Sequence, residues 1–477
     1  MRDMVVDVLR TFDWFVLGYF LVLNTSYLVL VIVAAGDTTK SLRRSTESGH
    51  DDIFANPLTP PISVVMGAYN EEACIVESVR ATLGLRYPQF EVVVIDDGST
   101  DGTFDALRNE FDLIDVAPDI DHDVALVGAI RSMHVPTSTL PLVVVRKTNV
   151  GKRADALNAG LNAAQYPLVC CVDADSILER DALLRVAKPF VDDPERVIAT
   201  GGVIRAVNGS TVYRGQLSSI RQPRSWLARI QIIEYLRSFL LGRTGWSKFG
   251  SLLIISGAFG LYRRDLLLEI GGFDPTSLGE DADAIIALHK LQRDRGSNYR
   301  IVYVPEPVCW TEVPTTRDVL GRQRSRWSHG LAQVLWKYRH MMCNPKYGRI
   351  GMVAMPYYLV FELLGPIVEL FGVAAVILGL TFGVVNTEFA LIFAVVALLY
   401  GITLSIAALL VEEISFHKYS RWRDLGVGFA AAVAENIGYR QLHAWWRLKG
   451  LVNAVRSNEP EWGEMTRAGF DTETAPT

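Results

Sequence analysis

Residues 168–176 read LVCCVDADS, and this stretch decides the fold. Five residues that are apolar or cysteine run from Leu168 to Val172, the length of a strand buried on both faces. Asp173 and Asp175 follow at alternate positions, so a strand continuing through them would aim both carboxylates to one side. An isolated DxD is explained as well by a plain turn at a strand end. Its meaning therefore depends on the neighbouring sequence.

Working outward, short apolar runs of the same kind recur at 62–66, 90–95, 141–145 and 300–304, bounded by Gly, Pro and Asp. Helical periodicity fills the gaps, as at 71–83 after Asn70 and at 152–164. This alternation predicts an α/β domain with a largely parallel, buried sheet over residues 60–340. Residues 113–139 read as an irregular surface insertion, and 229–241 as an amphipathic helix suited to lie against a membrane.

The 477-residue chain is too long for one ordinary domain. Half of it is hydrophobic and its mean hydropathy is +0.21, which points to apolar spans added to a soluble domain. A net charge of −5 argues against a nucleic-acid partner. Five scattered cysteines without a CxxC pair fit a reducing compartment rather than a disulfide or zinc framework.

Residues 14–35 are long and apolar enough for a membrane span, and the absence of a cleavage signal makes 1–36 an anchor. Asn24, Thr25 and Ser26 near its middle face either protein or a tolerated polar patch. Lys40, Arg43 and Arg44 place its C-terminal end in the cytoplasm. Further on, Gly365-Pro366 divides an apolar stretch into an interfacial piece, 352–364, and a span, 366–385. Residues 390–410 form a second span. The 386–388 turn carries no Lys or Arg, whereas His417, Lys418, Arg421 and Arg423 return the chain to the cytoplasm. Residues 424–446 read as interfacial or re-entrant, 352–456 as one helical membrane region, and 457–477 as a tail.

Four constellations carry chemistry. The first is 65-VMGAYNEE-72 followed by 96-DDGSTD-101, which places Tyr69, Glu71 and Asp97 at strand ends, where open α/β sheets bind ligands. A carboxylate there accepts from a nucleobase N–H or a ribose hydroxyl; alone, the turn reads as a cap. The second is the DAD pair, hard oxygen ligands suited to Mg2+ or Mn2+ bridging to phosphate. Lys152 upstream adds a positive charge, a solvated lysine being the plain alternative. The third is 271-GGFDPTSLGEDAD-283, in which Glu280 and Asp281 open a helix. Acidic residues suit a helix N-terminus, but one carboxylate aimed into a cleft is also a general base, and Asp281 is chosen. The fourth, Gln323-Arg324-Ser325-Arg326-Trp327, joins phosphate-binding cations to a ring on which a sugar stacks. An interfacial basic-aromatic helix explains it equally if it stands alone.

In order and spacing these elements resemble the processive family 2 glycosyltransferases: cellulose, chitin, hyaluronan and poly-N-acetylglucosamine synthases, with the bacterial poly-N-acetylglucosamine type most alike. The resemblance implies a GT-A fold, a Rossmann-like cytoplasmic domain joined to α-helical transmembrane and interfacial segments. It implies Asp97 at the nucleoside, Asp173 and Asp175 at metal and diphosphate, and Asp281 as catalytic base. Gln323, Arg326 and Trp327 match the QxxRW motif that holds the diphosphate and the acceptor end. Ser256, Gly257 and Phe259 fall where the family lines its acceptor site. Gly279 replaces the usual threonine of the TED motif, sparing both carboxylates.

The expected partners are a UDP-sugar, a growing polysaccharide, the bilayer of the inner (plasma) membrane, and an accessory membrane subunit or second copy. Glu362 and Glu369, seven residues apart, share a face if one helix continues through Pro366, and intramembrane carboxylates are functional suspects. Two other readings stay open: a single-sugar transferase acting on a polyprenyl phosphate, and a non-catalytic receptor or export component of glycosyltransferase shape.

Overall fold

The computed structural model describes residues 2–47, 50–381, 388, 391–392, 395–416, 422–456 and 471–472. Strands are numbered in chain order: β1 Ile62–Ala68, β2 Phe90–Asp96, β3 Leu113–Val116, β4 Ile130–Pro136, β5 Leu142–Lys147 and β6 Leu168–Asp173. They continue with β7 Ser176–Leu178, β8 Val197–Ala206, β9 Thr211–Tyr213, β10 Gln216–Ser219, β11 Phe259–Arg263 and β12 Arg300–Thr311. Ten of them form one sheet in the order β3-β4-β5-β2-β1-β6-β11-β8-β12-β7.

The neighbours β5, β2, β1 and β6 pair in parallel, and antiparallel strands extend the sheet on both sides. Helices such as α1 (Arg2–Glu47) and α2 (Arg153–Ala163) cover it, which is why its strands read as unbroken apolar runs. Register aligns the functional edge: Ala68 lies opposite Asp96, Gly67 opposite Asp173, and Asp96 opposite Arg146. The loops that leave β1, β2, β5 and β6 therefore emerge at one carboxyl-end rim, where α/β sheets hold ligands.

Several expectations change. Residues 113–139 are not simply an irregular insertion, because β3 and β4 within them extend the sheet beyond β5. Strand β8, fully buried along its ten residues, escaped notice because Gly201-Gly202 interrupts its apolar run. Strand β6 stops at Asp173, and Ala174 and Asp175 form a turn into β7, so strand alternation does not place Asp175.

The amphipathic segment becomes helix α3 (Trp226–Tyr235), continued by π-helical turns over Leu236–Arg243. It is wedged between the sheet and the apolar helices and buried on most of its faces, rather than lying on a surface. Two further helices frame the site, α4 (Glu280–Asp294) and α5 (Arg317–Lys337).

Among the described residues two helices are long and apolar enough to cross a membrane by length and composition, Trp14–Thr38 within α1 and Ile350–Gly379. The second joins the expected interfacial piece to the expected span. Gly365-Pro366 bends it at Leu364, where Leu364 N–H reaches back to Leu359, and helix α6 (Gly365–Thr381) continues. Residues 382–385, part of 390–410, His417, Lys418, Arg421 and most of 457–477 lie outside the described residues.

Among the described residues, the α-helices α7 (Tyr400–Phe416), α8 (Trp422–Ala434) and α9 (Arg440–Val455) come later in the chain. Between α8 and α9 the backbone turns at Ile437 and Gly438, and α9 lies along α5 and α6. One hydrophobic cluster runs from Leu30 and Ala34 of α1 through the sheet to Ala408 of α7 and Ala431 of α8. The sheet domain and the apolar helices thus share a core, and a buried ion pair between Arg205 of β8 and Glu412 of α7 ties them further.

Candidate active site

The rim of β1, β2 and β5 builds the first part of the site. Asn70 takes a left-handed conformation (φ 56°) after β1, and its side chain accepts from the Thr100 N–H at 2.8 Å, locking two rim loops together. Tyr69 and Glu71 beside it line the central cavity, as does Asp97. Asp97 Oδ1 accepts from Lys147 Nζ at 2.6 Å, and burial pushes its carboxyl up to about 6 despite that cation.

The second part lies where β6 ends. Arg153, the first residue of α2, donates to Asp173 Oδ1 at 2.5 Å, to the Gly257 carbonyl at 2.8 Å, and to Glu280. Asp173 and Glu280 together hold the Arg153 guanidinium above its usual range although burial opposes this. Lys152, the expected cation, stands at the N-cap position of that helix and lines the cavity, but it is Arg153 that draws the two acidic clusters together. Asp175 is buried and accepts from Thr311 Oγ1 at 3.2 Å.

Asp281 sits in the first turn of α4. Burial, then the adjacent Glu280, hold its carboxyl above the usual range, while its Oδ1 accepts from the Ala282 N–H at 2.8 Å. A Cβ placed on Gly257 would come within 3.3 Å of Arg153 Nη1 and 3.8 Å of Asp281 Oδ2, so these groups converge on one backbone position. Asp283, two residues on, has another role. It is buried and takes bonds from Lys337 Nζ at 2.7 Å and Tyr338 Oη at 2.6 Å, pinning α4 to α5.

Helix α5 brings the third part. Gln323, Arg326 and Trp327 line the same cavity, with Trp327 exposed. Desolvation pulls the Arg326 guanidinium below its usual range, against attraction from Glu280, Asp173 and Asp281. Arg324 is buried, donates to Glu234 at 3.0 Å, and places its guanidinium 4.2 Å from the centre of the Trp327 ring, a cation–π contact.

One cavity of about 2460 Å³ unites these parts: Tyr69, Glu71, Asp97, Lys152, Asp173, Asp175, Ser256, Gly257, Glu280, Asp281, Gln323, Arg326 and Trp327 all line it. Phe259 does not. It is fully buried on β11 in the core, because strand alternation turns it away from the rim. The same cavity continues between the apolar helices past Asn24, Tyr27, Glu362, Glu369 and Arg447. Asn24 and Ser26 face protein, Ser26 Oγ lying 2.9 Å from Tyr357 Oη, while Thr25 is exposed.

Sequence reasoning missed Lys147 and Arg153. Lys147 is an unmarked residue at a strand end, and Arg153 was overshadowed by its neighbour in 151-GKR-153. Among the described residues no three His, Cys, Asp or Glu side chains gather as a metal cage. Asp173 and Asp175 nevertheless fit a hard cation that keeps most of its coordination sphere for water and phosphate oxygens.

An α/β sheet with acidic loops at its parallel rim has the GT-A-like architecture of nucleotide-sugar transferases. A mannosyltransferase from Pyrobaculum calidifontis, solved with GDP-Man and Mn2+, shares this fold: the TM-score is 0.50 over 87% of this chain and 99% of that one, at 21% identity. The family model described as glycosyltransferase like family 2 matches residues 60–330, and the chain belongs to that family. It is 29% identical over 306 residues to a poly-beta-1,6-N-acetyl-D-glucosamine synthase of Staphylococcus epidermidis, and 29% identical over 306 residues to the synthase of that name in Staphylococcus aureus strain COL. These alignments cover 64% and 63% of this chain and 61% and 60% of the relatives, so the chain spans about three fifths of the curated relatives it matches.

Proposed function

We propose that this protein is a membrane-embedded, inverting glycosyltransferase that polymerises a UDP-sugar, GlcNAc or glucose favoured, into a β-linked polysaccharide. The observation that carries this reading is the single cavity joining the carboxylates at the rim to a polar passage between apolar helices. A single-sugar transferase needs the first half of that cavity; a polymerase needs both. The catalytic domain would face the cytoplasm of a cell with a multi-pass plasma-membrane region, with a second copy or an accessory subunit as further partners.

Asp281 serves as general base. It takes the proton of the acceptor hydroxyl as that oxygen attacks the anomeric carbon, and the UDP leaves from the opposite face. A carboxylate held above its usual range is, once ionised, a better proton acceptor. Arg153 and Arg326, with Lys152 at the rim, stabilise the charge that develops on the leaving diphosphate. Glu280 supports the base indirectly, because it holds Arg153 in place. Trp327, steadied by Arg324, offers the acceptor sugar a stacking face, and Ser256 and Gly257 line its approach. Asp97 accepts from the nucleobase, while Tyr69 and Glu71 flank it. Asp173 and Asp175 would hold Mg2+ or Mn2+, which supplies Lewis-acid neutralisation of the diphosphate when bound.

The deciding experiment incubates the purified chain with labelled UDP-sugars and Mg2+ or Mn2+, then sizes the product. Long polymer from one sugar is expected. Release limited to single-sugar adducts, or no transfer from any UDP-sugar, would overturn the reading. Asp175→Ala should abolish the metal dependence of UDP binding in titration calorimetry, and an unchanged metal response would remove Asp175 from that role.

A further inference from the structure

Lys147 is completely buried at the end of β5, yet it contributes nothing to the cavity wall. Its ammonium has three N–H donors, and three acceptors meet it: Asp97 Oδ1 at 2.6 Å, Asp155 Oδ2 at 2.8 Å and the Thr148 carbonyl at 2.9 Å. Asp155 is also fully buried and is itself held by the Val127 and Gly128 N–H groups at 2.7 and 3.0 Å. Glycine is required at 128, because a Cβ there would sit 2.2 Å from the Thr148 oxygen and 2.8 Å from Lys147 Nζ. A buried lysine is costly unless fully paired. Here the chain shapes a loop, a helix start and a strand end around one.

Of the three charged groups only Asp97 reaches the cavity. Lys147 has no donor left for a ligand, and an ionised carboxylate only accepts. A ligand at this spot must therefore bring an N–H or O–H. We infer that Lys147 is a positioning residue for base recognition: it clamps one oxygen of Asp97 so that the other accepts from a ring N–H flanked by carbonyls, the imide of a uracil base. This rests on the nucleotide-sugar reading and narrows it to a base with that donor.

The clamp makes base recognition depend on pH. The charged groups acting on Asp97 are Lys147 from β5, Asp155 from α2 and Asp96 within β2, and Asp96 is itself bonded to Arg146 at 3.0 Å. Lys147 favours the ionised carboxylate, while burial and the two aspartates oppose it, so the proton returns at about pH 6. Base recognition is present above that pH and lost as pH falls through it.

The test uses the full chain in nanodiscs with saturating Mg2+, and titrates UDP and N3-methyl-UDP from pH 5 to 8.5. The ratio of their dissociation constants cancels the ionisation of phosphate and metal ligands and isolates the imide contact. In the wild type the ratio should favour UDP above pH 6 and approach unity below it. Lys147→Met should move that midpoint upward by about one pH unit or more, and Asp155→Asn should move it downward, since one removes an opposite charge and the other a like charge. Should Lys147→Met not fold, the downward shift in Asp155→Asn still decides. Midpoints unmoved in the variants that fold, with discrimination intact, overturn the role of Lys147 alone. A wild type that binds no UDP at any pH overturns the nucleotide reading with it.

Discussion

In the proposed mechanism Asp281 and Arg153 are the individual side chains that set the chemistry. Burial and Glu280 raise the Asp281 carboxyl, and a base works only when ionised. Activity should therefore fall as pH drops through that raised value. The acid limb of the kcat/KM profile should lie above the ordinary aspartate range near 4; a limb at or below it would count against the assignment. Asp281→Asn should keep UDP binding and reduce transfer by about 10²–10⁴-fold, measured as polymer formed per minute; near-normal output would dismiss it as the base. Arg153 and Lys152 are adjacent, but it is the first that is ion-paired with two carboxylates, Asp173 and Glu280. Arg153→Met should lower kcat by about 10²–10³-fold, the scale for losing one preorganised donor to a developing anion, and Lys152→Met should cost less. Equal losses would erase the distinction drawn from the geometry.

Helix α5 acts as the element that aligns the site. It presents Arg326 and Trp327 to the cavity from one stretch, and its C-terminal part holds the start of α4. Gly330 packs so closely there that a Cβ would lie 3.0 Å from the Gly279 nitrogen, and Gln333 accepts from the Leu278 N–H at 3.2 Å. Lys337 completes the contact through Asp274 and Asp283. Gly330→Val should thus push the α4 N-terminus, with Asp281, away from the acceptor. The expected result is a fall in kcat of tenfold or more, on the order seen for ångström-scale misplacement, with UDP affinity unchanged. Loss of UDP affinity in step with kcat would mean that α5 serves global folding instead. The QRSRW motif was readable in the sequence, but its partnership with α4 was not. Leu278 and Gln333 are separated by more than fifty residues, and no local period signals their contact.

Across the whole molecule, the apolar helices and the sheet domain form one body with a shared core and one cavity. Its far end carries an ion-pair ladder. Glu362 meets Arg447 at 3.2 Å and Glu369 meets Arg440 at 3.1 Å, so two carboxylates on one helix face match two arginines seven residues apart on α9. Tyr27 of α1 adds a hydroxyl to Glu362 at 2.6 Å, drawing three helices around the passage. Charges this deep are tolerated because each is paired, and removing one partner strands the other. In a double-mutant cycle, Glu362→Gln and Arg447→Gln should show a coupling of about 0.5–3 kcal/mol in thermal unfolding. Strictly additive losses would mean that the ladder does not bind the helices together.

The sequence by itself determined the parallel strands β1, β2, β5 and β6, the acidic rim and two apolar helices, because each is written in a local period or a short motif. It also ordered the four constellations along the chain, which suffices for the family. Tertiary structure alone decided that Asp175 lies on a turn, that Phe259 faces the core, and that Arg153 rather than Lys152 joins the acidic clusters. It also decided that Lys147 meets Asp97, fifty positions earlier in the chain. The physical reason is that a side chain's charge is local information, whereas its partner is set by which strand the crossover lays beside it.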